Sequence, residues 1–371
     1  MRRINRRAEG LAIQVVRDGR RHSAGSREAT IELGLDTFGD ISEGTDGQPL
    51  HAAQVIRNLI EEGVLADQVG VDFIGVGEHH RADFAVSSPE MVLAGVAART
   101  QRIRLGSAVT VLSSDDPIRV FQRFSTLDAI SNGRAEVILG RGSFIESFPL
   151  FGFDLNQYEE LFNDKLDLYA AVLVQQPVTW QGKTRAPLKN QNVYPKTESG
   201  RLKTWIGVGG TPESVVRAAH YGMPMMLAII GGDPKRFAPF ADLYRRALKE
   251  RGKEPLPLGV HSHGFVGETD AQARDDLWPD YKRVRDKIGG ERGWPPMTRT
   301  EFDREIDHGS LYVGSPDTVA RKIAATAKAF GGLDRFDLKY SAGPLSHDKM
   351  MRSIELYGRK VIPAVRELVG P

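Results

Sequence analysis

Glu78-His79-His80 sets one carboxylate beside two imidazoles, residue types that move protons, orient hydrogen bonds or ligate metals. Three readings are open on the tripeptide alone. A metal site needs further ligands converging from other elements. An acid–base site needs a histidine within reach of a reacting proton. A structural role needs only a Glu–His pair satisfied internally. His261-Ser262-His263 has the i, i+2 spacing that puts two imidazoles on one face of a strand, as metal-dependent barrel hydrolases do. Those enzymes carry the pair near the chain start with further ligands after it. Here the pair comes late and no ligand set follows, so no metal ligands are assigned and metal-dependent hydrolysis is kept only as an alternative.

Two other segments have the chemistry of anion binding. Gly209-Gly210-Thr211-Pro212-Glu213-Ser214 is a glycine turn running into a helix whose first position is Pro212. Unpaired N–H groups at a helix start attract phosphate, and glycine lets the backbone approach it. Simple capping by Thr211 explains the same residues, and Val313-Gly314-Ser315-Pro316-Asp317 repeats the grammar later. Arg141, between Gly140 and Gly142, is a stronger phosphate candidate, because a guanidinium grips an anion with two parallel donors. On its own it is equally a surface ion-pair partner. The chain has no cysteine, which excludes disulfides, thiolate ligands and a cysteine nucleophile.

Short apolar runs alternate with longer amphipathic ones, and these are the elements that must position such residues. Strands are predicted at Ile31 to Thr37, Val71 to Gly77, Ile103 to Leu112, Ala135 to Leu139, Thr204 to Val208, Met223 to Ile230, Leu258 to Val266 and Phe336 to Ser341. Helices are predicted at Gln54 to Gly70, Ser88 to Thr100, Pro117 to Ser131, Tyr158 to Gln175, from near Pro212 and Pro234, and at Asp348 to Leu368. Repeated strand–helix units with apolar strands mean a parallel sheet covered by helices. About eight of them fit an α/β fold closed as a (β/α)8 TIM barrel. An open dinucleotide-binding sheet is disfavoured, since no glycine run completes G-x-G-x-x-G. Gln181 to Gly200 and Ile288 to Gly309 read as inserted loops, the first covering a barrel edge, the second of lid type. Active sites of such barrels lie at the C-terminal ends of the strands. There the sequence turns polar or glycine-rich: Glu78-His79-His80-Arg81, Ser113-Ser114-Asp115-Asp116, Gly140-Arg141-Gly142-Ser143 and Gly209-Gly210-Thr211.

The 371 residues are 40% apolar and 26% charged, a globular composition with no apolar run approaching the ~18 residues that span a bilayer. No membrane or nucleic-acid partner is expected, and a cytoplasmic location is. The net charge of +2 is unevenly placed: residues 1–29 hold eight arginines against three acids. Residues 1–30 are read as a basic N-terminal extension, disordered or non-native, and 31–371 as the barrel domain.

Several of these motifs occur in one order, and together they resemble the bacterial luciferase-like flavin monooxygenase family. Gly70-Val71-Asp72-Phe73 leads into Glu78-His79-His80; Gly106-Ser107-Ala108-Val109 and Pro117-Ile118-Arg119 follow. Leu127-Asp128-Ala129-Ile130-Ser131-Asn132-Gly133-Arg134 is the most specific block, then Gly140-Arg141-Gly142, Phe151-Gly152, Trp205-Ile206-Gly207-Val208-Gly209-Gly210 and Val313-Gly314-Ser315-Pro316. The match covers roughly residues 31 to 365. The resemblance implies reduced FMN across the strand ends, its phosphate held by Arg141, Gly209, Gly210, Thr211 and Ser214. It implies a non-proline cis peptide at Ala108-Val109 beside the flavin ring, and Glu78 and His79 as catalytic residues facing flavin and substrate. The implied chemistry is oxygenation of a small organic substrate by O2 activated on reduced FMN, the flavin supplied by a separate reductase and the enzyme a homodimer. A deazaflavin-dependent hydride transferase and a non-catalytic flavin-binding protein are the alternatives within the family. Two departures matter. Gly140 stands where luciferase has a reactive cysteine, and Ser113-Ser114-Asp115-Asp116 replaces a loop that often carries histidine. Light emission and an aldehyde substrate are therefore not implied.

Overall fold

The computed structural model describes residues 30–142 and 144–370. The basic extension, Ser143 and Pro371 lie outside the described residues, Thr30 excepted.

Eight parallel strands close on themselves: β1 (Glu32–Thr37), β2 (Phe73–Val76), β3 (Arg104–Ser107), β4 (Ala135–Gly140), β5 (Lys203–Val208), β6 (Met225–Ala228), β7 (Leu258–Val266) and β8 (Arg335–Lys339). Each pairs with the next in sequence, and β8 returns to β1 with Gly34 opposite Asp337. Helices between the strands bury one stripe each against the outer wall. Helix Ala52–Gln68 does so through Val55, Leu59 and Ala66. Helix Pro117–Ile130 starts where the Asp116 carboxylate accepts from the N–H groups of Ile118 and Arg119, with Pro117 in the first turn.

The barrel interior is layered. At the N-terminal end of the strands, Arg335 is fully buried between Glu32 and Glu136, its Nη2 2.6 Å from Glu32 and 2.9 Å from Glu136. Arg104 and Lys203 complete this ionic plug. Burial pushes the Glu136 carboxyl up, but Arg335, Lys203 and Arg104 outweigh it and hold the group below the ordinary range. Phe73, Ile138, Trp205 and Met226 fill the middle. The Arg335 guanidinium lies 4.3 Å from the centre of the Phe73 ring and 4.7 Å from Trp205, so plug and apolar layer are one packed unit. Above that layer the barrel opens.

The third strand departs from its predicted span. It leaves the ladder after Ser107, and only Thr110–Val111 rejoins β4. Ser107 Oγ accepts from Ile138 N–H and donates to Ile138 C=O, both at 3.2 Å, taking the two bonds a continuous strand would have made. Between these pieces the Ala108–Val109 peptide is cis, as the resemblance implied.

The two insertions also differ from simple loops. Val178–Trp180 and Leu188–Gln191 form an antiparallel hairpin. The barrel has no free edge to cover, and the hairpin arm lies outside the helices, with Thr184 bonded to Asp164 and Gln122 to the Tyr194 carbonyl. Residues 288–309 contain the end of helix Asp270–Glu291 and the whole of helix Arg299–Asp307, whose Thr298–Glu301 capping box starts it. The charge-rich composition of both helices masked their periodicity. The last helix is continuous from His347 to Val369 through a π-helical turn, Tyr357–Val361.

Candidate active site

A cleft of about 230 Å³ opens at the C-terminal ends of the strands. Arg141, Gly142, Tyr158 and Gly209 line one end of it, Val109, Ile138 and Met226 its middle, and Phe38, His79, His261, Asp36 and Asp337 the other. Three of the four strand ends assigned from sequence meet around this space, whereas Ser114, Asp115 and Asp116 line a separate cavity with His80 and Lys165.

Glu78 lines the cleft and also ties two segments together. One carboxylate oxygen accepts from Val111 N–H at 3.0 Å, just past the cis bond, and the other is 2.8 Å from His80 Nε2. Each oxygen thus carries one bond, which fixes the loop after β2 to the resumed strand. His79 is different. Its ring sits among Phe84 at 4.3 Å, Phe38 at 4.8 Å and Phe144 at 5.1 Å. Burial disfavours its charged form and lowers its pKa to about 4, with Asp40 opposing and Lys339 assisting. His79 is therefore a neutral imidazole near pH 7, and no described side chain hydrogen-bonds to it.

Glycines surround the cis bond because nothing larger fits. A Cβ at Gly140 would stand 2.5 Å from Val109 Cγ2, and one at Gly75 would stand 2.8 Å from Ala108 Cβ. Gly140, where luciferase has cysteine, is thus required here by Val109. At Gly209 a Cβ would meet nothing within 4 Å, which leaves bare backbone facing the cleft.

The Arg141 end of the cleft is more basic than the sequence suggested. Arg141 and Arg217 both grip Glu159, Arg141 through Oε1 and Arg217 through Oε2, the latter at 3.0 Å. Glu159 is half exposed, with its carboxylate between two guanidiniums. Arg217 is one that sequence reasoning missed. Arg141 and Gly209 line the cleft, whereas Gly210, Thr211 and Ser214 lie just behind it. The Thr211 and Ser214 hydroxyls are 2.9 Å apart, and Thr211 makes no side-chain cap bond to helix Pro212–Tyr221. Its first-turn donors are therefore not consumed by the capping alternative.

The rim is strapped by Arg81. Its guanidinium bonds Glu146 at 2.6 Å, Glu291 at 2.5 Å and Asp83 at 3.2 Å, over the face of Phe144. Three segments meet there: the loop after β2, the loop after β4 and the end of helix Asp270–Glu291. No residue of 288–309 lines the cleft itself. The predicted lid meets the rim through Glu291 on Arg81 and Arg292 over Phe144.

Asp36, Phe38, Asp337 and Phe144 were also missed. Asp36 and Asp337 had a readable signal, an acid at an inward position in an otherwise apolar strand. His261, read from sequence as a metal ligand or a core or rim histidine, has its Nδ1 2.6 Å from Asp36 Oδ2. Among the described residues no three His, Asp or Glu side chains group as a metal site, and no helix is long and apolar enough to cross a membrane.

Comparison with known proteins places this barrel in a family. The family profile of luciferase-like monooxygenases matches residues 37–333, and the chain belongs to that family. It is 30% identical over 349 residues to 4-hydroxyprotoasukamycin monooxygenase of Streptomyces nodosus subsp. asukaensis, covering 87% of this chain and 92% of that one. Among solved structures, the oxygenating constituent of the 3,6-diketocamphane monooxygenase of Pseudomonas putida, a type II Baeyer–Villiger enzyme in complex with FMN, has the same fold. Its TM-score is 0.72 at 20% identity, over 90% of this chain and 98% of that one. An F420-dependent secondary alcohol dehydrogenase in complex with an F420–acetone adduct aligns with a TM-score of 0.70 at 17% identity, over 91% and 99%.

Proposed function

We propose that this chain is a two-component monooxygenase that binds reduced FMN and uses O2 to oxygenate a small organic substrate. The observation that carries the reading is the polarity of the cleft. Arg141, with Arg217 beside it on Glu159, and a bare glycine turn stand at one end, Val109, Ile138 and Met226 give an apolar middle, and aromatic and polar side chains line the other end. That sequence of environments fits a planar ring with an anionic tail. Arg141, Arg217 and Gly209 would hold the phosphate, with Gly210, Thr211 and Ser214 supporting the turn, and Ala108-Val109 would back the ring.

When bound, reduced FMN supplies two electrons for O2: one oxygen atom goes to the substrate and the other leaves as water. This chain's residues bind, orient and exclude water. Neutral His79, wrapped by Phe38, Phe84 and Phe144, is a hydrogen-bonding group that carries no charge into the dry pocket. Glu78 keeps the strand after the cis bond in place. On this reading a separate reductase delivers the flavin, residues 31–371 form the one catalytic domain, and the enzyme works as a cytoplasmic homodimer.

Fluorescence titration tests the reading. FMN binds at micromolar concentration or tighter, and the protein speeds O2-dependent oxidation of the reduced form. Absence of binding by both oxidised and reduced FMN would remove the proposal. Binding of reduced deazaflavin alone would transfer it to hydride transfer without O2.

A further inference from the structure

Three histidines open into the same cleft: His80 is bonded through Nε2 to Glu78, His261 has Asp36 behind Nδ1, and His79 has no carboxylate partner among the described residues. His261 Nδ1 lies 2.6 Å from Asp36 Oδ2, and Asp36 is only 1% exposed. A carboxylate at that distance fixes the tautomer with the proton on Nδ1 and leaves the Nε2 lone pair free. No described residue hydrogen-bonds to Nε2, while the ring lines the cleft. This is the base-plus-orienter geometry of proton-transfer sites. His79 has no such partner.

The surrounding wall is unfinished in the same direction. Asp36 Oδ1 and Asp337 Oδ1 are buried without a hydrogen-bond partner, and both residues line the cleft. Gly34 opposite Asp337 leaves room for that carboxyl, since a Cβ there would stand 2.1 Å from Oδ1. Burial holds the Asp337 carboxyl well above the ordinary range, Asp36 and Glu136 adding to the effect and Arg335 opposing it. One wall thus offers a free imidazole acceptor, backed by two carboxyls whose unpartnered oxygens are packed inside the barrel. The charged groups facing His261 are few. Asp36 comes from β1, and Asp337 and Lys339 from β8. His263 stands on its own strand with ring centres 6.1 Å apart, and Phe38 stacks at 6.1 Å. Lys339 is tied to Asp40 at 3.0 Å and bonded to Ser341, so its charge is already matched.

We propose that His261, oriented by Asp36, is a proton acceptor for a weakly acidic hydroxyl of the substrate, phenolic or enolic. The proposal deepens the flavin reading and rests on it. In the step, the substrate O–H bond breaks, its electron pair stays on oxygen, and an N–H bond forms at Nε2. The oxyanion enriches the neighbouring carbon in electron density, which an electrophilic oxygen donor requires. The proton passes on to solvent after product leaves. Asp36 is a positioning residue in this scheme.

The probe is 4-nitrophenol, whose phenolate absorbs separately from the phenol. It is titrated at a pH below its own pKa into the protein, with and without FMN. Wild type takes it up as phenolate, lowering its apparent pKa by roughly one unit or more. His261→Gln binds it as the phenol with no shift, and Asp36→Asn gives a partial shift. If His261→Gln does not fold, the imidazole ¹⁵N resonances of wild type decide: the probe protonates Nε2 of a histidine bonded to a carboxylate through Nδ1, which separates His261 from His80, bonded through Nε2. A wild type without bound phenolate, or a shift that survives His261→Gln, overturns the proposal. FMN quenching in the same samples separates the two levels. Quenching without probe ionisation defeats this inference alone, whereas ionisation without quenching defeats the flavin reading.

Discussion

The two ends of the barrel bury charge in opposite ways. At the N-terminal end, Glu136 meets Arg335, Arg104, Lys203 and the Trp205 indole N–H at 2.8 Å. At the C-terminal end, Asp337 sits only two residues along β8 from Arg335, yet has an orphaned Oδ1 and a raised pKa. At the plug, cations and carboxylates pair with each other, although Arg335 Nη1 has no hydrogen-bond partner. Asp337 has no ion pair among the described residues, and its burial goes uncompensated. The same strand thus carries a paired cation and an unpaired acid.

The contrast is sharpest when one chemical change is made at both ends. Glu136→Gln removes the counter-charge of a fully buried guanidinium and is expected to cost ~3–5 kcal/mol, seen as a lower urea midpoint. A loss under about 1 kcal/mol would mean Glu32 alone suffices for Arg335. The cleft histidine comes next. The unfolded chain protonates a histidine near pH 6.5, but folded His79 does so only near 4. Protons therefore bind preferentially to the unfolded state between those values. The contribution is complete above pH 6.5 and is lost as pH falls toward 4, a swing on the order of 3 kcal/mol. His79→Phe should unfold with a flatter pH dependence in that window, and parallel curves would place His79 in a more hydrated setting. Arg141→Ala should weaken FMN by about 1.5–3 kcal/mol and leave riboflavin nearly untouched in parallel titrations. Equal losses would deny it the phosphate. Asp337→Asn should be smallest, costing no more than about 1 kcal/mol near neutral pH, because the native carboxyl is already held neutral. The folded state binds a proton there that the unfolded chain releases, so wild type loses stability as pH rises above the carboxylate range. The Asn variant should gain on it over that range.

The fold was legible because most strands are apolar runs, β8 with its Arg335, Asp337 and Lys339 excepted, and each boundary carries its own chemistry. The predicted strand Leu258 to Val266 agrees with β7 at both ends. What failed to show had local causes. Helix Asp270–Glu291 is too charged for its buried stripe of Ala273 and Leu277 to stand out. The break in the third strand depends on the Ser107 hydroxyl reaching across to β4, which no periodicity reveals. In the site, Glu78, His79, Arg141 and Gly209 follow strands and were found by position. Asp36, His261 and Arg217 act through partners more than fifty residues away, and nothing local in the chain announces such pairs.

The Arg81 strap has a consequence for traffic through the site. Its ion pairs to Glu146, Glu291 and Asp83 join three loops at the rim, and Lys287 adds a further tie to Asp83. Opening the cleft on that side means parting several pairs together, in a setting exposed enough for mobile ions to screen them. Ionic strength should therefore act as a throttle on how fast ligands enter and leave, more than on how tightly they are held once inside.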